Sequence, residues 1–351
     1  MARRPTAQDV ADLVGVSRSS VSLVLNGHGD GNIAPHKQQA IIEAARRLNY
    51  KPNAVALSLR SQRTRTIGTL TWSAAAGLPV AMLQAALEAA VDSDYLLLVL
   101  DTSGGDEQEA RALSILQDRQ VDALFVIAPE LVDYQPVDLM TSVPTLLLNC
   151  ADPRAGLTSL VPDESTAAAT AAQLLIEAGH TRIGLLTDPP DAVLTRLRLA
   201  GVQEAVLAAE LEALTQIAAG RDTESGFRAA TELLSGQEPP TALICTRERL
   251  AVGAVLAAAH LGLRIPADLS VVSLDDGERL AGQLAPPLTT IERPDRLIGQ
   301  QAVAMMLDWL SGDEELPVRQ LSFVCPAVLR GSVARPAPPS SLRLQRPAAG
   351  P

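Results

Sequence analysis

The stretch TAQDVADLVGVSRSSVSLVLN, residues 6–26, predicts two short helices joined by a tight turn. Thr6 is suited to cap the first helix, because Asp9 stands three residues later, at the capping-box position and near the positive end of the helix dipole. Four apolar residues recur with helical spacing, and Gly15 supplies the left-handed conformation that commonly ends a helix. Ser17 can cap the second helix, so both helices have a start signal.

The second helix has its own apolar stripe, formed by Val21, Val24 and Leu25. Two helices that are joined by a short turn containing glycine, with stripes able to face each other, form a helix-turn-helix. The outward positions of the second helix hold Arg18, Ser19, Ser22 and Leu23. Because the second helix of such a motif lies in the DNA major groove, three of these side chains could contact base edges or phosphates. The segment therefore predicts a DNA-binding head.

The formal net charge is -11, which is unexpected for a DNA-binding protein until its distribution is considered. Residues 1–66 hold ten Lys or Arg and four Asp or Glu, a net charge of +6, whereas the remainder holds 19 against 36, a net charge of -17. A basic head on an acidic body concentrates the attraction for phosphates at one end of the protein. The acidic body would repel DNA and so help to orient the head.

Three segments lie between the helix-turn-helix and the rest of the chain. The glycine-rich residues 26–32 follow a helix rather than a strand, so we interpret them as a surface loop and not as a phosphate-binding loop. Pro35 then opens a third helical pattern. Residues 53–60 form a short helix candidate, well below the ~12–15 residues at which an isolated helix becomes marginal in water. We expect this segment to be frayed unless something packs against it.

From residue 67 the pattern changes to apolar strands that alternate with helices. The strand-like runs are 67–72, 95–100, 122–127, 144–149, 157–161, 182–187, 241–246 and 270–274, and the helical runs are 79–91, 106–118, 165–178, 193–209, 223–235 and 247–261. Fully apolar strands separated by helices indicate parallel sheets that are covered on both faces. Two such units in series predict two doubly wound lobes, which bind ligands beyond the carboxyl ends of their strands.

The composition agrees with a globular protein of two or three domains: 47% of the 351 residues are hydrophobic. The sequence has no signal-peptide pattern and no uninterrupted apolar run of ~18 residues, so we expect a soluble, cytoplasmic protein with no membrane partner. The cysteines Cys150, Cys245 and Cys325 are far apart and lack metal-ligand spacing, which favours core or pocket residues over a disulfide or metal site.

These motifs together resemble the lactose-repressor (LacI) family of bacterial transcription regulators, over nearly the whole chain from Thr6 to Arg335. The most specific matches are DVADLVGVSRSSVSLVLNG and LNYKPNAVALSLRSQRTRTIG. Further matches are RLRLAG (196–201), EAGHTRIGLLT (177–187), DLSVVSLDD (268–276) and PPLTTI (286–291). The resemblance implies an all-α helix-turn-helix headpiece, a hinge helix and a dimeric, periplasmic-binding-protein-like (type I) α/β core made of two doubly wound parallel-sheet lobes.

The resemblance also implies where these parts begin and end. We place the headpiece at 1–50, the hinge helix and linker at 51–65, the effector-binding and dimerisation core at 66–335, and a disordered, Pro-rich tail at 336–351. Within the core, where the family's chain crosses between lobes three times, the amino lobe takes about 66–162 and 293–323. The carboxyl lobe takes about 163–292 and 324–335.

Matched position by position, the family pattern assigns DNA-contacting roles in the head and hinge. Arg18 and Ser19 fall on base-reading positions of the recognition helix, where an arginine pairs most naturally with guanine. Leu59 matches the hinge leucine that the family wedges into the minor groove, a role that agrees with the ability of apolar wedges to unstack a base step. The predicted DNA-binding residues are Thr6, Ser17, Arg18, Ser19, Ser22, Asn26, Asn53, Ala56, Leu59 and Arg60.

In the core, the predicted effector-binding residues are Trp72, Asn149, Arg198, Arg247 and Asp275. Arg198 and Asp275 match effector-contacting positions and follow strands, although a surface charge and a turn residue are their ordinary alternatives. Trp72 ends the first strand and could stack on a ligand or be buried in the core. Arg247 and Glu248 replace the Asn-Asp pair that is usual in the family, and either could face the ligand or pair with neighbours.

Two further departures concern the head. Leu23 stands where the family usually has arginine, and Ala34 replaces a capping serine or threonine at the third helix. The missing arginine shifts base-reading onto the start of the second helix.

The scattered histidines and carboxylates form no catalytic constellation, so we expect no enzyme activity, no metal and no cofactor. The favoured hypothesis is a homodimeric, ligand-responsive repressor that binds a pseudo-palindromic DNA operator. The alternative is a cytoplasmic metabolite-binding protein or doubly wound enzyme. The predicted effector site contains Arg247 in addition to Arg198. The effector could therefore be a sugar, a sugar acid, a phosphorylated sugar or a nucleobase-like compound.

Overall fold

A computed structural model describes residues 3, 5–51, 63–72, 79–103, 105–136, 140, 142–154, 156–189, 192–211, 214–277, 279–312 and 318–337. The chain separates into two compact units. The first contains residues 1–66 together with 120–122, and the second contains 67–119 and 123–351.

The first unit contains three helices, α1 (Ala7–Val14), α2 (Arg18–Leu25) and α3 (Pro35–Arg47). The predicted signals act as expected: Thr6 and Asp9 form a capping box, Gly15 ends α1 with φ 72°, and Ser17 caps α2. Ala34 supplies no side-chain cap to α3. The apolar stripes of the three helices meet in one small core whose buried members are Val10, Ala11, Val21, Val24, Ile41, Ala44 and Ala45. The prediction of a helix-turn-helix is confirmed.

The second unit alternates strands and helices. Its strands are β1 (Thr66–Thr71, which begins at the last residue of the first unit), β2 (Leu96–Asp101), β3 (Ala123–Asp133), β4 (Thr145–Ala151), β5 (Thr158–Pro162), β6 (Ile183–Thr187), β7 (Leu214–Ala218), β8 (Ala242–Cys245), β9 (Ser270–Ser273), β10 (Thr289–Ile291), β11 (Gln320–Phe323) and β12 (Ala327–Val328). Its helices are α4 (Val80–Asp92), α5 (Asp106–Asp118), α6 (Glu164–Glu177), α7 (Val193–Ala208), α8 (Thr223–Leu234), α9 (Glu248–His260) and α10 (Asp295–Ser311).

These strands form two six-stranded sheets. The first has the order β11-β5-β4-β3-β1-β2, and the second has the order β12-β10-β9-β8-β6-β7. Every strand pairing described is parallel except that of β12, which runs antiparallel to β10 at the edge of the second sheet. Two lobes of parallel α/β structure were predicted, and they are observed; the antiparallel edge strand was not foreseen.

The chain passes between the sheets three times, after β5, after β10 and after β11. Asp163 lies at the first passage and caps α6 by accepting a hydrogen bond from the amide of Thr166 at 3.1 Å. We refer to the region between the two sheets, where these connecting segments run, as the crevice.

Glycines allow close contact in three helix pairs. A Cβ atom placed on Gly201 of α7 would lie 2.0 Å from the carbonyl oxygen of Ser165, at the start of α6. Similarly, a Cβ on Gly253 of α9 would lie 2.4 Å from the Thr223 carbonyl of α8, and one on Gly299 of α10 would lie 2.3 Å from the Met82 carbonyl of α4. The helices that cover the sheets thus pack backbone to backbone.

The three cysteines are free and buried, and burial raises the pKa of each thiol, that of Cys325 to about 12. The prediction of core or pocket cysteines is confirmed. Within the described part of the chain, no helix is long and apolar enough to cross a membrane. The described residues also contain no group of three or more His, Cys, Asp or Glu side chains that could hold a metal ion.

Candidate nucleic-acid interface and ligand cleft

The start of α2 is the best-defined part of the candidate nucleic-acid interface. The Oγ atom of Ser17 accepts a hydrogen bond from the amide of Ser20 at 3.0 Å, which fixes the first turn of the helix. Arg18 and Ser19 follow directly and are exposed. A rigid, capped first turn with exposed donors can present those donors to a groove.

The other predicted DNA-binding residues of the head have local partners. Asn26 donates a hydrogen bond to the Ser22 Oγ at 3.1 Å at the end of α2, and both side chains are half-buried. Thr6 is exposed, and its amide and hydroxyl both donate to the Asp9 carboxylate, at 2.7 and 2.8 Å. These bonds, with that from Arg3, lower the pKa of Asp9. The positions of Asn53, Ala56, Leu59 and Arg60 lie outside the described residues.

Arg198 forms a buried ion pair instead of lying open to the crevice. Its Nε atom donates to Glu164 Oε2 at 2.7 Å, and both side chains are almost completely buried. One of its terminal nitrogens donates to the carbonyl of Thr246, which directly follows β8. A buried arginine needs an anionic partner, and the chain itself supplies one from the first residue of α6.

Arg293 extends this ion pair. Its guanidinium lies 3.6 Å from Glu164 Oε1 and 3.1 Å from Asp295 Oδ1. Burial alone would lower the pKa of Arg293, but the charges of Asp295, Glu164 and Asp275 raise it above its usual value. The predicted effector residue Asp275 is thus electrostatically coupled to the Arg198–Glu164 pair through Arg293.

Asp275 and Asp276 have different partners. The Oδ1 atom of Asp275 accepts from the amide of Gly277 at 3.0 Å, which gives a local turn just beyond β9, and the side chain remains half-buried. Asp276 accepts from Arg330 at 2.7 Å and from the Thr290 hydroxyl at 2.9 Å. Asp276 therefore ties β10 to the C-terminal segment, whereas Asp275 stays near the crevice.

Arg247 lies in an ion cluster that connects the two lobes. Its Nε donates to Asp188 Oδ2 at 2.6 Å within its own lobe, and its Nη2 reaches Glu130 Oε2 of the other lobe at 2.5 Å. Arg221 also reaches across, with Nη1 3.0 Å from Glu130 Oε1. Burial would lower the pKa of Arg247, yet the two carboxylates raise it. Burial would raise the pKa of Glu130, but the two arginines lower it.

Glu248, the neighbour of Arg247, has a structural role. It is buried at the first position of α9 and accepts a hydrogen bond from the amide of Ala281 at 2.5 Å. The carboxylate thus ties the start of α9 to the loop that follows β9, so Arg247 and Glu248 both have partners within the protein.

Asn149 occupies an irregularity in the first sheet. It is completely buried, has φ 58°, and donates through Nδ2 to the Ala128 carbonyl at 2.9 Å, while its Oδ1 has no hydrogen-bond partner in the structure. At this point the register of β3 against β4 shifts between Ile127 and Val132. Glu130 lies within the shifted segment, so the irregularity places this carboxylate at the crevice.

Trp72 stacks on Tyr134, with ring centroids 5.9 Å apart and planes inclined by 18°. The Tyr134 hydroxyl donates to Glu109 at 2.5 Å, which fixes that ring in the first lobe. One face of the half-buried Trp72 ring is therefore covered by the protein. The two readings of Trp72, a core residue and a stacking platform, both fit a ring that is only half-buried.

The structure links two of the predicted residues, Arg198 and Arg247, through Thr246 and Asp188. Arg198 bonds to the Thr246 carbonyl, and the Thr246 hydroxyl bonds to Asp188, which holds Arg247. The charge of Asp275 acts on Arg293, which also contacts Glu164. Trp72 and Asn149 have their partners within the first lobe. Sequence reasoning missed three carboxylates and two cations of this network, namely Glu130, Glu164, Asp188, Arg221 and Arg293. Asp188 directly follows β6, and Glu164 lies two residues after β5, which was a usable signal.

Known proteins resemble this chain in both its head and its core. Residues 6–53 match the model of bacterial regulatory proteins of the lacI family, and residues 172–333 match the periplasmic binding protein-like domain. Over 315 residues the chain is 31% identical to the HTH-type transcriptional repressor PurR of Proteus mirabilis, covering 88% of this chain and 92% of that relative. It is 34% identical over 310 residues to the Ribose operon repressor of Escherichia coli, covering 86% and 92%.

Solved structures show the same architecture. The Lac repressor dimer bound to operator and the anti-inducer ONPF matches with a TM-score of 0.76 and 27% identity, over 95% of this chain and 100% of that one. The transcriptional regulator CelR in complex with cellobiose matches with a TM-score of 0.64 and 26% identity, over 94% and 100%. The chain belongs to the LacI family of bacterial regulatory proteins. It is a DNA-binding transcriptional repressor of that family with an effector-binding domain.

Proposed function

We propose that this repressor is a homodimer that reads a pseudo-palindromic operator and is controlled by a small molecule bound between its two lobes. The observation that carries the proposal is the capped first turn of α2, which exposes Arg18 and Ser19 on a compact three-helix head. Two such heads related by a two-fold axis match two half-sites of opposite orientation. Because its target is the chromosome, the protein acts in the cytoplasm, at the nucleoid.

Base reading is assigned to the beginning of α2 and to the hinge. Arg18 pairs with a guanine in the major groove, and Ser19 contacts the neighbouring base or phosphate. The other predicted residues position the head and hinge on the DNA backbone. They are Ser17, Ser22, Asn26, Thr6, Asn53, Ala56 and Arg60. Leu59 from each subunit enters the minor groove at the centre of the operator, where it kinks the duplex.

The effector site is assigned to the crevice between the sheets. Carboxyl ends of parallel strands border this crevice, and the network that runs from Arg198 through Thr246 and Asp188 to Arg247 lies there. Trp72, Asn149 and Asp275 complete the proposed site. The effector is a sugar or a sugar derivative, and the chain has no catalytic role.

Control follows from a difference in effector affinity between two arrangements of the lobes. An effector that favours one arrangement changes the dimer interface and biases the folding of the hinge helices. The coupling free energy of such a system is typically ~1–3 kcal/mol, and it can be no larger than the effector's differential affinity.

The test is gel retardation with the protein's own upstream DNA and a scrambled duplex of equal length, at physiological salt. The proposal predicts a specific complex that contains two subunits and whose stability changes on addition of a cleft ligand. A ligand can be found by thermal-shift screening, because binding to the native state raises its stability. Equal retardation of both duplexes would overturn the proposal.

The role of the hinge has its own test. Leu59→Ala is expected to weaken binding to the operator far more than binding to the scrambled duplex, because the wedge acts only where the duplex kinks. Equal losses on the two duplexes would remove Leu59 from the reading mechanism.

A further inference from the structure

The ion cluster between the lobes has an asymmetric construction. The second lobe contributes two guanidinium groups, from Arg221 and Arg247, and one carboxylate, from Asp188, so its share carries one net positive charge. The first lobe contributes a single carboxylate, Glu130. This carboxylate neutralises the excess charge.

Glu130 is bound in the manner of a ligand. Each of its oxygens takes one guanidinium: Oε1 lies 3.0 Å from Arg221 Nη1, and Oε2 lies 2.5 Å from Arg247 Nη2. A carboxylate or phosphate group offers guanidinium donors the same pair of acceptor oxygens, and such charge-assisted bonds are among the strongest in proteins. The Glu130 side chain thus fills a site whose chemistry is that of an oxyanion receptor.

The receptor half is organised by its own lobe. Asp188, of which only 3% is exposed, fixes Arg247 through Nε at 2.6 Å and also lies 3.8 Å from the guanidinium of Arg221. The Thr246 hydroxyl lies 3.3 Å from the other oxygen of Asp188. The arginines therefore keep one carboxylate partner when Glu130 leaves.

Glu130 can leave more easily than Asp188. It lies in the segment of β3 where the register against β4 is interrupted, and its side chain retains 14% exposure. Next to it, Leu131 packs in a small apolar cluster with Val161 of the same lobe and Leu194 of the other lobe. Glu130 and Leu131 together therefore hold the two lobes in contact at this point, through one ionic and one apolar contact.

From this arrangement we propose that the effector carries an oxyanion, and that this group displaces Glu130 from Arg221 and Arg247. Glu130 thus acts as an intramolecular competitor of the effector for the two guanidinium groups. This inference rests on the proposed effector site and specifies the class of molecule that the site accepts: acidic compounds rather than neutral sugars.

Inorganic phosphate and acetate are the probes, with sodium chloride at equal ionic strength as the reference and glucose as the neutral probe. Differential scanning fluorimetry of the full chain would measure the concentration of each probe that gives half of its maximal stabilisation. Glu130→Gln is expected to tighten oxyanion binding on the order of tenfold or more, because the competing charge is lost while the receptor stays intact. Comparison of phosphate with acetate identifies the preferred oxyanion.

Two control proteins isolate the effect. Glu88→Gln removes a carboxylate that is paired with Arg296 at 2.7 Å outside the cluster, so it is expected to leave oxyanion binding unchanged. Arg221→Gln with Arg247→Gln is expected to abolish the response. If Glu130→Gln does not fold, Glu130→Asp, which shortens the carboxylate's reach, provides the same comparison.

Equal oxyanion binding by the wild type and the Glu130 variant, or a response that survives loss of both arginines, would overturn the inference. Stabilisation by glucose but by neither anion would also overturn it. Gel retardation of the operator by the same proteins tests the proposed repressor function separately from the proposed oxyanion effector. A specific operator complex that responds to a neutral ligand would refute the oxyanion effector and leave the proposed repressor function standing.

Discussion

At the residue scale, the most consequential finding is the burial of Arg198. The family resemblance predicts an effector contact at this position, and in the structure the Arg198 side chain pairs with Glu164, which is 34 positions earlier in the chain. A capping pair such as Thr6 and Asp9 can be predicted because its members are neighbours on one helix end. Long-range pairs such as Arg198–Glu164 and Arg247–Glu130 depend on how elements pack, which a single sequence does not reveal.

Arg198→Met is expected to lower the free energy of unfolding by about 3–5 kcal/mol, because it leaves the buried Glu164 carboxylate without its closest partner. Urea denaturation of the full chain measures the change. Combining it with Glu164→Gln should recover part of the loss, since the stranded charge is then removed. A single variant as stable as the wild type would show that the ion pair does not hold α6 and α7 together.

His180 provides a pH-dependent test of the second lobe. Its ring nitrogens lie 2.9 Å from the hydroxyls of Thr241 and Ser270, and burial lowers its pKa. The unfolded chain, in which histidine has a pKa of about 6.5, therefore binds the proton more readily than the folded chain. The free energy of unfolding should accordingly decrease as the pH falls below about 6.5, down to the folded-state pKa.

His180→Asn should remove this part of the pH dependence between about pH 7 and 5.5, above the range in which most carboxylates titrate. The measurement is urea denaturation at several pH values, with His260→Gln as the matched control on the surface of the same lobe. The prediction fails if wild type and His180→Asn lose stability in parallel over this range.

At the element scale, the predicted pattern located most of the long buried elements and missed the short or exposed ones. β10 and β12 are only three and two residues long, and β7 is an edge strand whose side chains are mostly exposed, so none of them carries a continuous apolar run. The predicted pattern also missed the 17-residue helix α10. The periodicity of this helix was detectable, because Ile298, Ala302 and Met306 recur every four residues and are buried.

The pairing of helices through glycine is testable at the same scale. Gly253→Ala should destabilise the protein by about 1–3 kcal/mol or more, because the added methyl group would meet backbone atoms of α8 at 2.4 and 2.5 Å. Ordinary helix propensity predicts the opposite sign, since alanine favours a helix over glycine by about 1 kcal/mol. Thermal unfolding decides between them, with Ala259→Ser on the exposed face of α9 as the control.

At the scale of the whole molecule, the fold class and the family follow from the sequence because they rest on local motifs in a fixed order. The chemistry of the crevice does not, because Glu130, Asp188, Arg221 and Arg247 come from four separate segments. The head is thus built on local signals, whereas the control that we propose depends on long-range ion pairs.

The central claim, sequence-specific reading by the start of α2, has one direct test. Fluorescence anisotropy would give the affinities of the wild type and Arg18→Ala for the operator and for a scrambled duplex. Arg46→Ala, an exposed arginine at the end of α3, is the control for loss of charge. We predict that Arg18→Ala loses about 1–3 kcal/mol of operator binding beyond the loss on scrambled DNA, whereas Arg46→Ala weakens both alike. Identical losses for Arg18→Ala on the two duplexes would contradict the account.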